Sequence, residues 1–160
     1  MVWGIIGGTV TPVGAVVVRP PSQDALWEAV TSRNEGILAT IGETGLPHLS
    51  NVYYVADAER RLVRVSTTGV RAKGRNLLRD PRAVLHVPGG DFFNFAVAEG
   101  EVTLAIPSAP GDEATDELYA VHSVFNGAAE RPAFDHQMLE ASRMVMRLEV
   151  NRLYGLLHRA

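Results

Sequence analysis

The sequence predicts a single, mainly β domain in which antiparallel strands form a barrel with helices at its periphery. Apolar and polar residues alternate over segments such as 144–150, and this period of two is typical of strands with one buried face. Strands and helices do not alternate in βαβ order along the chain, which argues against a doubly wound parallel sheet. Gly100 lies inside a long apolar segment, where a bend or bulge would help the sheet to close.

The individual elements follow from capping residues, β-branched segments and turn residues. Ser22 can cap a helix over 23–33 by accepting a hydrogen bond from a free amide, and Leu26, Trp27 and Val30 would then face the core. The other expected elements are strands at 36–41, 47–55 and 61–67, a helix at 71–80, a strand at 83–87, one bent strand or strand pair at 92–106, helices at 111–125 and 135–142, and a final strand at 144–150. One β-rich domain over residues 22–160 accommodates all of them.

The amino-acid composition excludes several classes of ligand and of catalytic site. The chain has 160 residues, 46% of them hydrophobic, and a net charge of only −3, so we expect a small-molecule partner and no general binding to nucleic acid or membranes. It contains no cysteine, which excludes disulfides, thiolate nucleophiles and cysteine-ligated metals and is consistent with a cytoplasmic protein. The five histidines have no metal-ligand spacing, so we expect no metal site.

The first 21 residues differ from the rest of the chain. Residues 1–18 carry no charge, but several glycines and the lack of a basic start argue against a signal peptide or a membrane span. We interpret the segment as a flexible arm or as an extra strand on a partner. An over-long start to the reading frame is the alternative.

The most informative segment is 65–76, where hydroxyl side chains end a strand and cations open a helix. Ser66 and Thr67 offer donors, Arg71 and Lys73 offer charge, and the start of a helix adds free amides and a positive dipole end. Five cations and one anion lie between residues 69 and 82, whereas 91–118 contains seven acidic residues and no basic one. The pattern favours a phosphate site. From spacing alone, an alternative interpretation has equal weight: the arginines spaced by four from Arg71 form a solvated stripe on one helix face and bind no ligand.

Three blocks of the sequence carry a resemblance to a known family. They are 36–41 with 45–52, then 71–82, and finally 96–100 with 150–155. The middle block is the most specific, because basic residues, Asn76 and an Arg-Asp-Pro helix end occur together in it. The chain resembles the pyridoxamine-phosphate-oxidase-like FMN-binding split-barrel flavoproteins, and particularly their actinobacterial branch that uses the deazaflavin coenzyme F-420.

The resemblance implies a split β-barrel whose cofactor lies in a cleft at a homodimer interface. By the resemblance, the cofactor phosphate would be held by Ser66, Thr67, Arg71 and Lys73, with Arg75 as a further cation. The ring system would be bordered by Pro47, His48, Leu49, Ser50 and Asn51, with Ala96 and Val97 near it. Tyr154 and Gly155 would approach from the partner subunit or from the closing strand.

The activity implied by the resemblance is hydride transfer between reduced coenzyme F-420 and a small organic acceptor. The cofactor carries this chemistry, so we assign no catalytic residue; His48, Tyr53 and Tyr54 are candidate proton donors. An FMN-dependent oxidase or reductase on the same fold is the first alternative. Arg75 and Arg79 favour the deazaflavin over FMN, because its longer, polyanionic tail should use these additional cations. A cofactor-binding protein without turnover and an unrelated β-barrel binding module remain further alternatives.

Overall fold

The computed structural model describes residues 3–6, 9–12 and 20–157, the first two ranges by their backbone alone. The strands are β1 (Trp3–Ile6), β2 (Thr9–Pro12), β3 (Glu35–Ile41), β4 (Pro47–Tyr53), β5 (Val55–Asp57), β6 (Leu62–Thr68), β7 (Arg82–Pro88), β8 (Phe95–Ala105) and β9 (Arg143–Leu156). The helices are α1 (Gln23–Thr31), α2 (Ala72–Arg79), α3 (Glu113–Asn126) and α4 (Arg131–Glu140). Among the strands that the structure describes, β1 and β2 pair only with each other. The predicted arm, residues 1–21, falls only partly within the described residues.

Seven strands form one antiparallel sheet in the order β4-β3-β7-β8-β9-β6-β5. The sheet curls until β4 approaches β6, so it forms an incompletely closed barrel, as the sequence predicted. The pairing of β8 with β9 shifts register between Glu99 and Gly100, which confirms the expected bulge within one long strand. A Cβ atom at position 100 would collide with the carbonyl oxygen of Glu149, so only glycine fits the bulge.

The inner face of the sheet forms the main core, and α1 closes one end of it. Ser22 caps α1 by accepting from the amide of Ala25 at 3.2 Å, and Leu26, Trp27 and Val30 are buried, all as predicted. A second, smaller cluster packs α3 and α4 on the outer face of β9, and its members are Leu118, Phe134, Met138 and Val145. The barrel therefore carries the two helices as an attached layer.

Several element boundaries differ from those predicted. The expected strand over 47–55 is interrupted at Tyr54, which is fully buried and donates its hydroxyl hydrogen to Val30 O at 2.7 Å, while its amide donates to Asn34 O. α3 begins later than predicted because the carboxylate of Asp112 caps it, accepting from the amide of Thr115 at 2.8 Å. α4 begins earlier, and β9 continues six residues beyond 150, to Leu156.

A half-buried ion-pair network fixes α3 to the sheet. The carboxylate of Glu117 accepts from Arg64 Nε at 2.9 Å and from Arg147 Nε at 2.7 Å, and only 15% of the Glu117 side chain is exposed. Arg64 also pairs with Asp57. Because one carboxylate holds guanidinium groups from both β6 and β9, α3 has a defined position over these strands.

Gly100→Ala should destabilise the protein by about 2 to 3 kcal/mol, because the added methyl group forces the β8–β9 bulge apart. Gly90→Ala is the matched control, since a Cβ atom there meets nothing within 4 Å and should change stability by less than about 0.5 kcal/mol. Urea denaturation followed by circular dichroism measures both. Equal stabilities of the two variants would contradict the role given to Gly100.

Candidate functional site

A cleft of about 590 Å³ lies between β4, β6, the start of α2 and the inner side of α3. Its lining residues are Glu35, Asn51, Val52, Tyr53, Val65, Ser66, Thr67, Arg71, Lys73, Leu118, Val121, His122, Phe125, Asn126, Met138 and Arg143. The cleft thus opens where the edge strand β4 approaches β6 and the barrel is incompletely closed. A position of this kind can admit a ligand without disturbing the core.

Three cations face this cleft without a carboxylate partner among residues 20–157. They are Arg71 at the start of α2, Lys73 one residue into the helix, and Arg143 at the start of β9. Burial lowers the pKa of the Lys73 ammonium below its ordinary value, and the neighbouring Arg71 and Arg143 guanidinium groups lower that pKa further. Such a cluster of like charges favours binding of an anion, which removes the repulsion.

The other cations of the 69–82 segment have partners. Arg75 donates to Val70 O, Arg79 donates to Ile41 O at 2.8 Å, and Arg82 forms a bidentate pair with Asp80. The arginines spaced by four along α2 therefore have different roles. Arg71 faces the cleft, whereas Arg75 and Arg79 hold α2 to neighbouring backbone.

Close packing holds the start of α2 against the end of β6. A Cβ atom at Gly74 would collide with the carbonyl oxygen of Thr68, so glycine lets the helix lie directly on the strand. At the other side of the helix, Asn76 Nδ2 donates to the buried Thr40 Oγ1 at 3.0 Å. Asn76 therefore anchors the helix and has no place in the cleft wall.

Buried hydroxyl groups beside the helix start lack partners. Thr67 is fully buried, and its Oγ1 makes no hydrogen bond to any residue that the structure describes. Thr68 Oγ1 is likewise buried and has no partner among those residues. Thr67 lines the cleft together with Ser66. Unsatisfied donors at such a position are costly unless a ligand or water uses them. With the free amides of α2, they fit a phosphate group.

The structure brings together five of the residues that the sequence assigned to cofactor binding, because Asn51, Ser66, Thr67, Arg71 and Lys73 all line the cleft. Tyr53, a candidate proton donor, lines it as well.

The remaining second-strand candidates lie along β4 outside the cleft wall. His48 and Ser50 pair with Thr40 and Leu38 on the inner face of the sheet. His48 Nδ1 and Ser50 Oγ are buried and have no hydrogen-bond partner within the described part of the chain. Pro47 lies on the outer face near the start of β4, two residues before the exposed Leu49. These residues continue the edge strand away from the cationic end of the cleft.

The candidates on β8 and β9 do not reach this cleft within one chain. Ala96 is buried in the barrel core. Val97 pairs with His86 on one side and Tyr154 on the other, on the outer face of the sheet. Three strands separate β9 from β4 in the sheet order. Contact of Val97 or Tyr154 with a ligand in the cleft would require a second copy of the chain.

Two parts of the cleft are brought together by tertiary structure and carry no local signal in the sequence. Arg143 reaches it because β9 pairs with β6 so that Arg143 lies opposite Thr68, a register that spacing along the chain does not reveal. The α3 wall, with His122, Phe125 and Asn126, follows from the packing of α3 over β6 and β9.

Comparison with known families supports the assignment of this fold. Residues 22–155 match the model of the pyridoxamine 5'-phosphate oxidase family, a span that includes every barrel strand except the last residue of β9. The chain belongs to the pyridoxamine 5'-phosphate oxidase family. The resemblance inferred from the sequence is confirmed.

Solved structures superpose on this family member over most of its length. A conserved hypothetical protein, Rv2991 from Mycobacterium tuberculosis, has a TM-score of 0.66 and 22% identity, covering 92% of this chain and 96% of that one. An F420 reductase has a TM-score of 0.61 and 22% identity, covering 83% and 97%. A heme binding protein from Mycobacterium smegmatis has a TM-score of 0.59 and 26% identity, covering 86% and 54%. These likenesses establish the split-barrel fold.

The described residues form neither a metal-binding cluster nor a helix able to span a membrane. Within the described ranges, no group of three or more histidine and acidic side chains is arranged to hold a metal ion. No helix in the part of the chain that the structure describes has the length and apolar character needed to cross a membrane.

Sulfate affinity should fall as pH rises through the lowered pKa of Lys73, before the ordinary lysine value of 10.5 is reached. The anion stabilises the ammonium form, so loss of that proton removes part of the attraction. Lys73→Arg keeps its charge over this range, and its affinity should stay nearly constant. Calorimetric titration at several pH values measures both proteins. Identical pH slopes would contradict the placement of Lys73 in the anion site.

Proposed function

We propose that this protein is a coenzyme F-420-dependent oxidoreductase that transfers a hydride between the reduced deazaflavin and a small organic acceptor. The observation that carries the proposal is the cationic end of the cleft, where Arg71, Lys73 and Arg143 converge without carboxylate partners beside the unpartnered Thr67 hydroxyl. The cysteine-free composition fits a cytoplasmic setting for this activity.

The residues present fit a phosphate-bearing cofactor. Arg71, Lys73 and Arg143 would supply charge, and Ser66, Thr67 and the first amides of α2 would supply hydrogen bonds. The reduced cofactor supplies a hydride when it is bound. The protein holds the phosphate at one end of the cleft and restricts water with the α3 wall.

Two observations favour the deazaflavin over FMN. Arg143 adds a third cation to the two found in the sequence, which suits a ligand with more negative charge than one phosphate monoester. The solved F420 reductase shares this fold over 83% of the chain. Arg75 and Arg79 are exposed and partly engaged by backbone carbonyl groups, so we give Arg143 the larger share of this preference. FMN-dependent oxidation or reduction is the alternative.

Oxidised coenzyme F-420 should bind more tightly than FMN when fluorescence and absorbance are followed in parallel titrations. Lys73→Met should weaken both ligands roughly tenfold to a hundredfold, because a charge-assisted contact to phosphate is lost. Arg143→Gln should weaken coenzyme F-420 more than FMN.

Arg33→Met is the control for these variants, because Arg33 is exposed and outside the cleft wall. Its affinity for both ligands should match that of the unmodified protein. Tighter binding of FMN would transfer the proposal to a flavin oxidase or reductase, and binding of neither would refute it.

Binding without turnover is the second candidate function. A heme binding protein shares 26% identity with this chain, which supports a carrier or storage role on the same barrel. An oxidoreductase oxidises its reduced cofactor faster when acceptors are supplied, whereas a carrier gives an acceptor-independent rate. Stopped-flow absorbance of the reduced cofactor separates the two functions.

The outer face of the sheet supports a homodimer. Register places Asn51, Ile37, His86, Val97 and Tyr154 side by side across five strands. Exposed apolar side chains continue this face, including Leu49 at 63% and Tyr53 at 59% exposure. In this proposed dimer a second copy covers the surface, and its Val97 and Tyr154 approach the first copy's cleft.

Leu49→Glu should convert the dimer to a monomer in sedimentation velocity, because a charge would be buried at the centre of the interface. Leu78→Glu is the matched control, since Leu78 is equally exposed at 62% but lies on α2. That variant should remain dimeric. A monomeric unmodified protein would refute the homodimer.

A further inference from the structure

One histidine side chain lies within the outer sheet face that the proposed homodimer covers. His86 belongs to β7, and the residues directly opposite it are Ile37 of β3 and Val97 of β8. Asn51 and Tyr154 extend the same row to either side. A second copy seated on this face therefore covers the strands on both sides of His86.

The surroundings of the His86 ring within one chain are apolar. The ring stacks on Phe95, with the ring centroids 5.6 Å apart and an interplanar angle of 21°. Ile37 and Val97 flank it on the neighbouring strands. His86 Nδ1 is buried and has no hydrogen-bond partner among the residues that the structure describes. A proton on Nδ1 would have no acceptor there, so the neutral ring carries its proton on Nε2.

Water still reaches the imidazole in the single chain, because His86 is only half-buried. An imidazolium needs such water, or a carboxylate, to offset the cost of its charge. A second copy that covers the outer face removes the water, and the proton on the buried Nδ1 remains without an acceptor. The dimer therefore accommodates the neutral ring and disfavours the imidazolium, whereas the separate chain tolerates both forms.

The neighbouring charged groups do not replace that water. The titratable or charged side chains nearest to His86 on the outer faces of β3, β8 and β9 are Glu35, Glu99, Arg152 and Tyr154. Glu99 accepts from Arg152 Nη1 at 3.0 Å, and the Tyr154 hydroxyl is hydrogen-bonded to the same carboxylate. Glu35 is exposed and lies two residues along β3 from the position opposite His86. The positions directly opposite the imidazole are thus apolar.

The charged residue that β7 itself adds to this face also has a partner. Arg82, four residues before His86, forms a bidentate pair with Asp80. Its positive charge would in any case oppose an imidazolium on the same strand face.

We infer that His86 is a pH-sensitive switch for the association of two copies of this chain: the neutral imidazole permits the dimer, and the imidazolium separates it. The inference rests on the homodimer proposed above. Separation also withdraws the partner's Val97 and the partner's Tyr154 from the first copy's cleft. The ligand site is therefore complete only while His86 is neutral.

The direction and size of the effect follow from proton linkage. A histidine ordinarily takes up its second proton at a pH of about 6.5. A dimer that binds fewer protons than two separate chains weakens as the pH falls through this value. When both imidazolium rings are excluded from the dimer, Kd rises roughly tenfold per chain at about pH 5.5, and roughly a hundredfold for the pair. Glutamate carboxyl groups ordinarily titrate at a pH of about 4.3, below this range.

Sedimentation equilibrium between about pH 8 and about pH 5.5 tests the switch. The unmodified protein should be dimeric at the upper pH, and its dimer Kd should rise roughly a hundredfold at the lower pH. Circular dichroism at each pH verifies that the chain stays folded. His86→Phe and His86→Gln lack a group that titrates in this range, so their dimer Kd should change by less than about threefold.

The two variants at position 86 and one control keep the test decisive. His86→Gln retains a polar side chain and serves where His86→Phe fails to fold. His136→Phe is the matched control, because His136 is exposed on α4, away from the outer face of the barrel strands. That variant should keep the full response of the unmodified protein to pH.

The possible failures are distinguishable. A dimer whose Kd does not change with pH, or a His86→Gln variant that responds as strongly as the unmodified protein, would overturn the switch and leave the homodimer in place. A protein that is monomeric at about pH 8 would overturn both. The oxidoreductase proposal is decided separately by the titrations with coenzyme F-420 and FMN, which require no measurement of association.

Discussion

Three positively charged side chains converge on one cleft, and the fold must hold them there against their mutual repulsion. Arg143 reaches the cleft because β6 and β9 pair in a register that places it opposite Thr68. Arg71 and Lys73 reach the cleft because Gly74 lets the start of α2 lie directly on the end of β6. Asn76, bonded to Thr40, fixes the far side of the same helix. Each of these contacts is made by backbone or by a buried polar pair, so the charges cannot easily move apart. An arriving anion therefore meets a preformed site, which reduces the cost of binding.

The barrel framework and the cleft helices have separate means of support. The barrel is held by its apolar interior and by the bulge at Gly100, whereas α3 is held mainly through Glu117 and the small cluster around Phe134. The residues that stabilise the barrel are therefore different from the residues of α3 that shape the cleft wall. Substitutions on α3 can alter what the cleft accepts while the strands that carry the cations keep their register.

Most of the fold could be predicted from the sequence, because strand periodicity, capping by Ser22 and the bulge at Gly100 are local properties. The cationic end of the cleft was predicted in part, because Ser66, Thr67, Arg71 and Lys73 lie within eight residues of each other. Arg143 was not predicted, since only the pairing of two distant strands brings it near. The break at Tyr54 was missed for a related reason, because the hydrogen bond from its hydroxyl group to Val30 depends on where α1 lies in three dimensions.

The position of Lys73 has a practical consequence. It is the only lysine in the chain, so an acylating reagent has a single side-chain target, and that target lies inside the cleft beside two guanidinium groups. A lowered pKa leaves more of the amine in its reactive, uncharged form than an ordinary surface lysine has. Protection of this one amine from labelling therefore reports directly on whether the cleft is filled, with no need to know in advance what fills it.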